Sequence, residues 1–287
     1  MVISDANSNL SFYKTNFKLR SGYVMKKRWY NIFKEDNKSF VLAMDHGSLM
    51  DVTGKLKNPG EVIKKAKKGG IDAILTTYGI AKKYHDDMGN LGLILRIDGG
   101  TTCIHPDGYV ADRIRSTFSA EDAVKLGADG VMSMGFTGLD DEDKMIQMLS
   151  KNASEADKLG LVYGIEMIPG GFKKESQRTL EKVAFTARFG AEYGADFVKT
   201  CYVEGSSAEE YKLVVENCFR PVLVLGGGDL KADKELFTMI KNSMDAGAKG
   251  VVIGRNVWKR SNVENYCRAI AKIVHENISV DEALKEL

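Results

Sequence analysis

The residue with the most chemical consequence is Lys199, inside the apolar run Ala195–Cys201 (ADFVKTC). An ammonium in a segment that reads as a buried strand is costly, because desolvation disfavours the charged form. The same desolvation is expected to lower its pKa and free the amine as a nucleophile toward carbonyl carbon. The alternative is a lysine held by a nearby carboxylate for structural reasons. Carboxylates that could serve either purpose end other apolar runs. Asp45 lies in Met44-Asp45-His46-Gly47, where it could shuttle protons at a carbinolamine or a C–C bond, or simply order the loop. His46 is its neighbour, although adjacent strand residues point opposite ways. Glu166 precedes Ile168 and Pro169-Gly170-Gly171, and is a candidate acid/base if it points inward. Arg96 and Asp98 are two apart and share a strand face. Arg96 could meet a substrate phosphate, neutralise Asp45, or pair with Asp98.

Two glycine clusters suggest where an anion would sit. Gly226-Gly227-Gly228-Asp229 and Gly254-Arg255-Asn256 each follow an apolar run. Glycines let backbone amides approach a phosphate, a following helix start favours the anion, and Arg255 can add charge-assisted hydrogen bonds. Neither cluster has dinucleotide-fingerprint spacing.

The elements that must position these residues follow from periodicity. Short β-rich apolar runs occur at 40–45, 72–77, 92–98, 130–135, 161–168, 195–201, 221–226 and 249–254. Amphipathic helical segments lie between them. Ser119-Ala120-Glu121-Asp122 reads as a capped helix start. Gly127-Ala128-Asp129-Gly130, Gly194-Ala195-Asp196 and Gly247-Ala248-Lys249-Gly250 repeat one pattern, a helix closed by a left-handed glycine before the next strand. Alternating β and α units predict an α/β chain with a parallel sheet, and eight of them predict a closed (β/α)8 TIM barrel. Lys199, Asp45, Glu166, Arg96 and the two glycine clusters then fall at the C-terminal strand ends, where such barrels build active sites. The reading divides the chain into an N-terminal extension, 1–38, and a barrel domain, 39–287. Scattered aromatics in the extension predict that it packs on the barrel or on a neighbouring subunit.

Composition sets the outer bounds. The 287 residues suffice for one such barrel, which takes roughly 250. Charge is balanced, with 41 basic and 39 acidic residues and a net +2, so no nucleic-acid partner is expected. The basic stretch Lys64–Lys68 reads as a solvated helix face. Four cysteines without CxxC pairing suggest reduced thiols rather than a metal or disulfide framework. With no secretory h-region and no apolar run near the ~20 residues that span a bilayer, no membrane association is expected and the cytoplasm is the expected compartment.

With these residues placed, the chain resembles the archaeal-type class I fructose-bisphosphate aldolases, the DeoC/LacD-like group, over roughly residues 38–285. The matching segments are LAMDHG, DFVKTCY, VLGGGD and GVVIGRNVW. Within the group, KTCYVE, GGGDL, GRNVW and IVHEN are most similar to the branch typified by 3-hydroxy-5-phosphonooxypentane-2,4-dione thiolase. The resemblance implies that Lys199 is the Schiff-base lysine and Asp45 the first-strand carboxylate. Gly227, Gly228, Gly254 and Arg255 would lie in the substrate-phosphate loops. It also implies a homo-oligomer, often a decamer in the group. One departure stands out. The aldolases of the group place a tyrosine acid/base where this chain has Ile168, and some have an aromatic where it has Glu166.

The expected activity is therefore class I aldol cleavage or formation on a phosphorylated ketose, with Lys199, Asp45 and Glu166 catalytic. His46, Arg96, Gly226, Gly227, Gly228, Gly254 and Arg255 would contact substrate or its phosphate. No metal or organic cofactor is expected, because an iminium supplies the electron sink. The alternatives are acetyl transfer from a phosphorylated pentanedione to coenzyme A, a phosphosugar isomerase, and a non-catalytic barrel that binds a phosphorylated ligand.

Overall fold

The computed structural model describes residues 27–50, 52, 54, 56–107, 113–172, 175–227 and 232–287. Residues 1–26 of the extension, and Gly228 of the first glycine cluster, lie outside the described residues. Eight parallel strands close into a barrel. They are β1 (Ser39–Ala43), β2 (Ala73–Thr76), β3 (Gly92–Arg96), β4 (Gly130–Gly135), β5 (Val162–Met167), β6 (Phe197–Cys201), β7 (Val222–Leu225) and β8 (Gly250–Ile253). Each apolar run in the sequence contains one of them, except that β1 starts one residue before its run. The third is shorter than its run, because the backbone leaves the barrel after Arg96. Asp98–Gly99 instead pairs antiparallel with Arg115–Ser116 in a small ribbon over the mouth.

Alternation along each strand sorts the side chains into two layers. Val41, Ala43, Leu75, Ile94, Met132, Phe197, Leu223 and Val252 fill the interior, while Phe40, Leu42, Ile74, Leu95 and Val224 face the surrounding helices. The interior tolerates little change. A Cβ on Gly164 would stand 2.5 Å from the Phe197 ring, so this glycine makes room for the phenyl group.

The Gly-Ala-Asp pattern has a further structural use. Gly127, Gly194 and Gly247 adopt φ of +72°, +93° and +100°, as a left-handed helix stop requires. The aspartate that follows the first two accepts an amide N–H from the preceding strand. Asp129 takes Leu93 N at 3.0 Å and Asp196 takes Tyr163 N at 2.9 Å, and Asp72 does the same for Phe40 N at 2.6 Å. These bonds satisfy donors at the N-terminal rim that would otherwise lack partners.

The described part of the extension closes that rim. Residues 27–32 are helical, and Ile32 and Phe33 are buried among the interior side chains. Trp29 stacks on Phe33 at 4.0 Å, and Phe33 meets Phe197 edge-on at 5.6 Å. Polar contacts fix the plug, with Asn31 Nδ2 donating to Asp129 and Arg28 to the Leu159 carbonyl. The helix Val263–Glu276 locks it from outside. His275 bridges Asp36 and Asp72, each at 2.9 Å.

Burial alone would lower the His275 pKa, but hydrogen bonding and attraction from Asp72 and Asp36 raise it above the ordinary value. A raised histidine pKa means that the bridge stabilises fully below the unfolded-state value, about 6.5. The contribution is lost as pH rises through the folded-state value. We predict that His275→Gln costs on the order of 1 kcal/mol at pH 6, about 2–4 °C in Tm for a domain of this size. Thermal melts at pH 6 and pH 8.5 should show the deficit shrinking at the higher pH.

Candidate active site

At the C-terminal end of the barrel the inward positions change from apolar to charged. Strand register brings the key pair together, because Glu166 on β5 is the direct neighbour of Lys199 on β6. Lys199 Nζ lies 2.7 Å from Glu166 Oε1, and the residues are 6% and 5% exposed. The other Glu166 oxygen accepts from an Arg96 guanidinium nitrogen at 2.5 Å. Arg96 reaches across from β3, and its Nε donates to Asp45 Oδ2 at 2.8 Å. Its remaining nitrogen, Nη1, faces Asp98 Oδ1 at 3.6 Å. The result is a continuous chain of charges from β6 through β5 and β3 to β1.

Four of the sequence-derived site residues thus meet directly. Of the roles left open for Arg96, the geometry matches neutralisation of carboxylates, since its guanidinium is occupied by Asp45, Glu166 and Asp98. Lys199 is paired with a carboxylate, an arrangement compatible with both readings of that lysine. His46 sits in a one-turn helix, His46–Ser48, with its ring edge-on to Trp258 at 5.5 Å and Nδ1 3.5 Å from Asp45 Oδ1. A Cβ on Gly254 would approach the His46 ring to 2.4 Å, so Gly254 makes room for the imidazole beside β8. The two glycine loops are tied together by Asn256 Nδ2, which donates to the Gly226 carbonyl at 2.8 Å. Trp258 Nε1 reaches the Ala43 carbonyl at 3.2 Å and joins the short helix Arg255–Trp258 to β1. Gly227 has φ +79°, the left-handed region that suits glycine.

Burial and pairing act against each other in this cluster. Burial would push Asp45 up, but the Arg96 guanidinium, with His46 and Lys199, overrides it and holds the carboxyl at about 2. Burial would raise Glu166 as well, and Lys199 and Arg96 lower it. Burial wins at Asp98, which rises to about 7 despite Arg96 and the Met134 amide. His46 falls to about 4 through burial, with Lys199 and Arg255 adding to the fall and Asp45 opposing it. At neutral pH, then, Asp45 and Glu166 are anionic, His46 is neutral, and Asp98 is partly protonated. Asp98 was not among the sequence-derived site residues. Its signal was the Arg-x-Asp spacing, which puts both side chains on one strand face.

A closed parallel barrel with a buried, carboxylate-paired amine at its mouth defines a (β/α)8 enzyme suited to imine chemistry. The chain belongs to the DeoC/LacD family of aldolases, whose profile matches residues 39–260. It is similar to a 2-amino-3,7-dideoxy-D-threo-hept-6-ulosonate synthase of Halobacterium salinarum, with 33% identity over 88% of this chain and 93% of that protein. It is also similar to a class 1 fructose-bisphosphate aldolase of Thermoproteus tenax, at 30% identity over 91% and 98%. A solved Schiff-base-forming fructose-1,6-bisphosphate aldolase superposes with a TM-score of 0.77 at 31% identity, over 88% of this chain and 100% of that one. An archaeal fructose-1,6-bisphosphate aldolase with its catalytic lysine bound to a carbinolamine intermediate gives 0.77 at 30%, over 87% and 99%. This chain is a lyase, a class I aldolase.

Removing Glu166 would leave two buried cations short of a partner, and breaking a buried pair in this way costs about 3–5 kcal/mol. We expect Glu166→Ala to lower unfolding free energy by that amount in urea titrations. Combining it with Lys199→Met should recover part of the loss.

Proposed function

We propose that this aldolase acts on a phosphorylated ketose, a fructose-bisphosphate or dihydroxyacetone-phosphate-like substrate, through an imine on Lys199. The observation that carries the reading is the buried 2.7 Å contact between Lys199 and Glu166 at the barrel mouth. The amine must lose a proton before it attacks, and Glu166 is placed to take it. Nζ then adds to the ketone carbon, and loss of water gives an iminium. The adjacent C–C bond breaks, its electron pair moves into the iminium to form an enamine, and the hydroxyl of the departing aldehyde gives up its proton. Glu166 and Asp45 are the proton carriers in this scheme. Protonation of the enamine carbon and hydrolysis release the ketone product and restore the lysine.

Arg96 positions both carboxylates from behind. The phosphate lies at the adjoining β7 and β8 loops, where the backbone at Gly227 is left-handed and Arg255 contributes charge. His46, uncharged, lines the same side next to Gly254. The similarity to fructose-bisphosphate aldolases supports the substrate class, and the glycine pair on adjacent strands supports its orientation.

We read the assembly as a homo-oligomer. Phe185, Leu213 and Phe219 are 59%, 46% and 54% exposed on one side of the barrel, which suits a protein contact. Light scattering after size exclusion tests this. Among the described residues no helix is long and apolar enough to cross a membrane. Together with free, largely buried cysteines, this is in keeping with a cytoplasmic enzyme.

Incubation with dihydroxyacetone phosphate followed by borohydride should leave a stable adduct on the Lys199 peptide, read by mass spectrometry. Lys199→Met should give none. Glu166→Gln should lower kcat by roughly 10²- to 10⁴-fold, the usual contribution of a positioned acid/base. Arg255→Met should raise KM for phosphorylated substrate about 10- to 100-fold, as loss of a charge-assisted hydrogen bond implies. No adduct in the wild type would overturn the reading. Thioester formation from a phosphorylated pentanedione and coenzyme A would put acetyl transfer in its place.

A further inference from the structure

The loops on which the phosphate placement depends have little structure of their own. The one after β7 begins Gly226-Gly227, with Gly227 left-handed, and the one after β8 is a single helical turn, Arg255–Trp258. Glycine backbone loses the most freedom on ordering, and one turn of helix does not hold itself. A site made from such loops is only as good as the anchors that fix them against each other. The bond from Asn256 Nδ2 to the Gly226 carbonyl is one anchor.

A second is built outside the loops, around Arg260. Its Nη1 pairs with Asp233 Oδ1 at 3.1 Å, and Asp233 opens the helix Asp233–Asp245 that follows the β7 loop. Its Nε donates at 3.4 Å to the main-chain carbonyl of Asn256, in the turn that follows β8. The guanidinium lies over the Tyr266 ring, 4.6 Å from the centroid. The Tyr266 hydroxyl donates in turn to the same Asp233 oxygen. Tyr266 is buried in the helix Val263–Glu276, so the cluster is fastened to the helix layer.

The ion pair alone is worth little, because the Asp233 side chain is 41% exposed. Tyr266 adds what the pair lacks. Its ring face holds the guanidinium, and its hydroxyl fixes the carboxylate oxygen that the guanidinium meets. The planar fork then spans both loops with separate N–H groups, Nη1 on the β7 side and Nε on the β8 side. A lysine, which is a point charge, cannot do this.

We propose that Arg260, held by Tyr266 and Asp233, is a positioning residue that clamps the β7 and β8 loops at the spacing a phosphate monoester requires. It acts through the loops and touches no substrate atom. The inference rests on the phosphate placement proposed above.

The test compares dihydroxyacetone phosphate with dihydroxyacetone, which offers the same ketone without the phosphate. The readout is the rate of borohydride-trapped adduct on the Lys199 peptide against ketone concentration. In the wild type the phosphorylated ketone should half-saturate at a concentration roughly tenfold lower or more, as charge-assisted binding implies. Arg260→Met and Tyr266→Phe should each raise that concentration about three- to tenfold, with the saturating rate and the half-saturation by dihydroxyacetone within about twofold of wild type. Arg260→Lys keeps a cation without the fork and should fall between wild type and Arg260→Met. Tyr266→Phe removes a single hydroxyl, so it decides the matter if Arg260→Met folds poorly. An effect of Arg260→Met with none from Tyr266→Phe would mean that the arginine meets the phosphate itself, and would overturn the clamp. Equal losses for both ketones, or no loss in either variant, would overturn it as well and leave the phosphate placement intact. Equal half-saturation of the wild type by the two ketones would overturn the phosphate placement along with the clamp. No adduct with either ketone would overturn the imine reading too.

Discussion

Everything at the mouth of this barrel depends on how buried charge is balanced. Lys199 and Arg96 bring two cations into a region that water hardly reaches, and Asp45, Glu166 and Asp98 surround them with three carboxyl groups. Three carboxylates would leave an excess of negative charge, and burial of an unbalanced charge is expensive. The raised Asp98 relieves it. With Asp45 held at about 2 and Asp98 at about 7, the cluster approaches neutrality by keeping a proton on its least compensated acid. The arrangement does little for stability compared with an apolar core of the same volume. Its return is chemical, in groups fixed where a reaction can use them.

Under the proposed imine chemistry, that balance would let the same pocket hold both a resting lysine and its covalent intermediate. An ammonium and an iminium carry the same charge at nearly the same place. The field of Glu166 that stabilises the first is already oriented for the second, so little reorganisation is needed as the reaction proceeds. Arg96 keeps that field in place. It holds one Glu166 oxygen and one Asp45 oxygen, and leaves each carboxylate its other oxygen. For Glu166, that free oxygen is the one facing Lys199.

The fold, and the charged strand-end residues that gather at its mouth, were legible because both rest on local rules. Eight apolar runs separated by helices give a barrel, and strand ends give an active site. A lysine inside such a run is conspicuous because nothing in a core requires it. Residues that act through pairing across strands were less visible. That Arg96 engages Asp45, Glu166 and Asp98 together depends on the stagger of β3 against β1 and β5, which no local period encodes. Asp98 itself belongs to the ribbon that leaves the barrel, and in sequence it merely continues the third run. The His275 bridge joins positions more than 200 residues apart in sequence, to Asp36 and Asp72. Its residues carry no motif. The plug of Trp29, Ile32 and Phe33 was foreshadowed by its aromatics, but its place under the barrel was not.

The fifth strand carries the point on which this chain parts from the aldolases that it resembles. Ile168, the position at which the resemblance read from the sequence implies a tyrosine, is 1% exposed and packed with other apolar side chains, so no phenol is available from that position. Tyr163 of the same strand does not replace it. Its ring faces the helix layer, its hydroxyl is directed to the Leu149 carbonyl, and burial pushes its pKa further above the ordinary range. Two residues before Ile168, Glu166 supplies an oxygen in contact with Lys199 Nζ. A carboxylate there differs from a phenol in kind. It is ionised at neutral pH, so in the proposed scheme it begins the cycle as a base and becomes an acid only after taking the lysine's proton. A site arranged in this way needs no separate donor, because the proton released when the amine attacks is the one available when the carbinolamine loses water. An isoleucine at 168 therefore leaves the proposed imine chemistry a proton carrier, the residue that already holds the lysine.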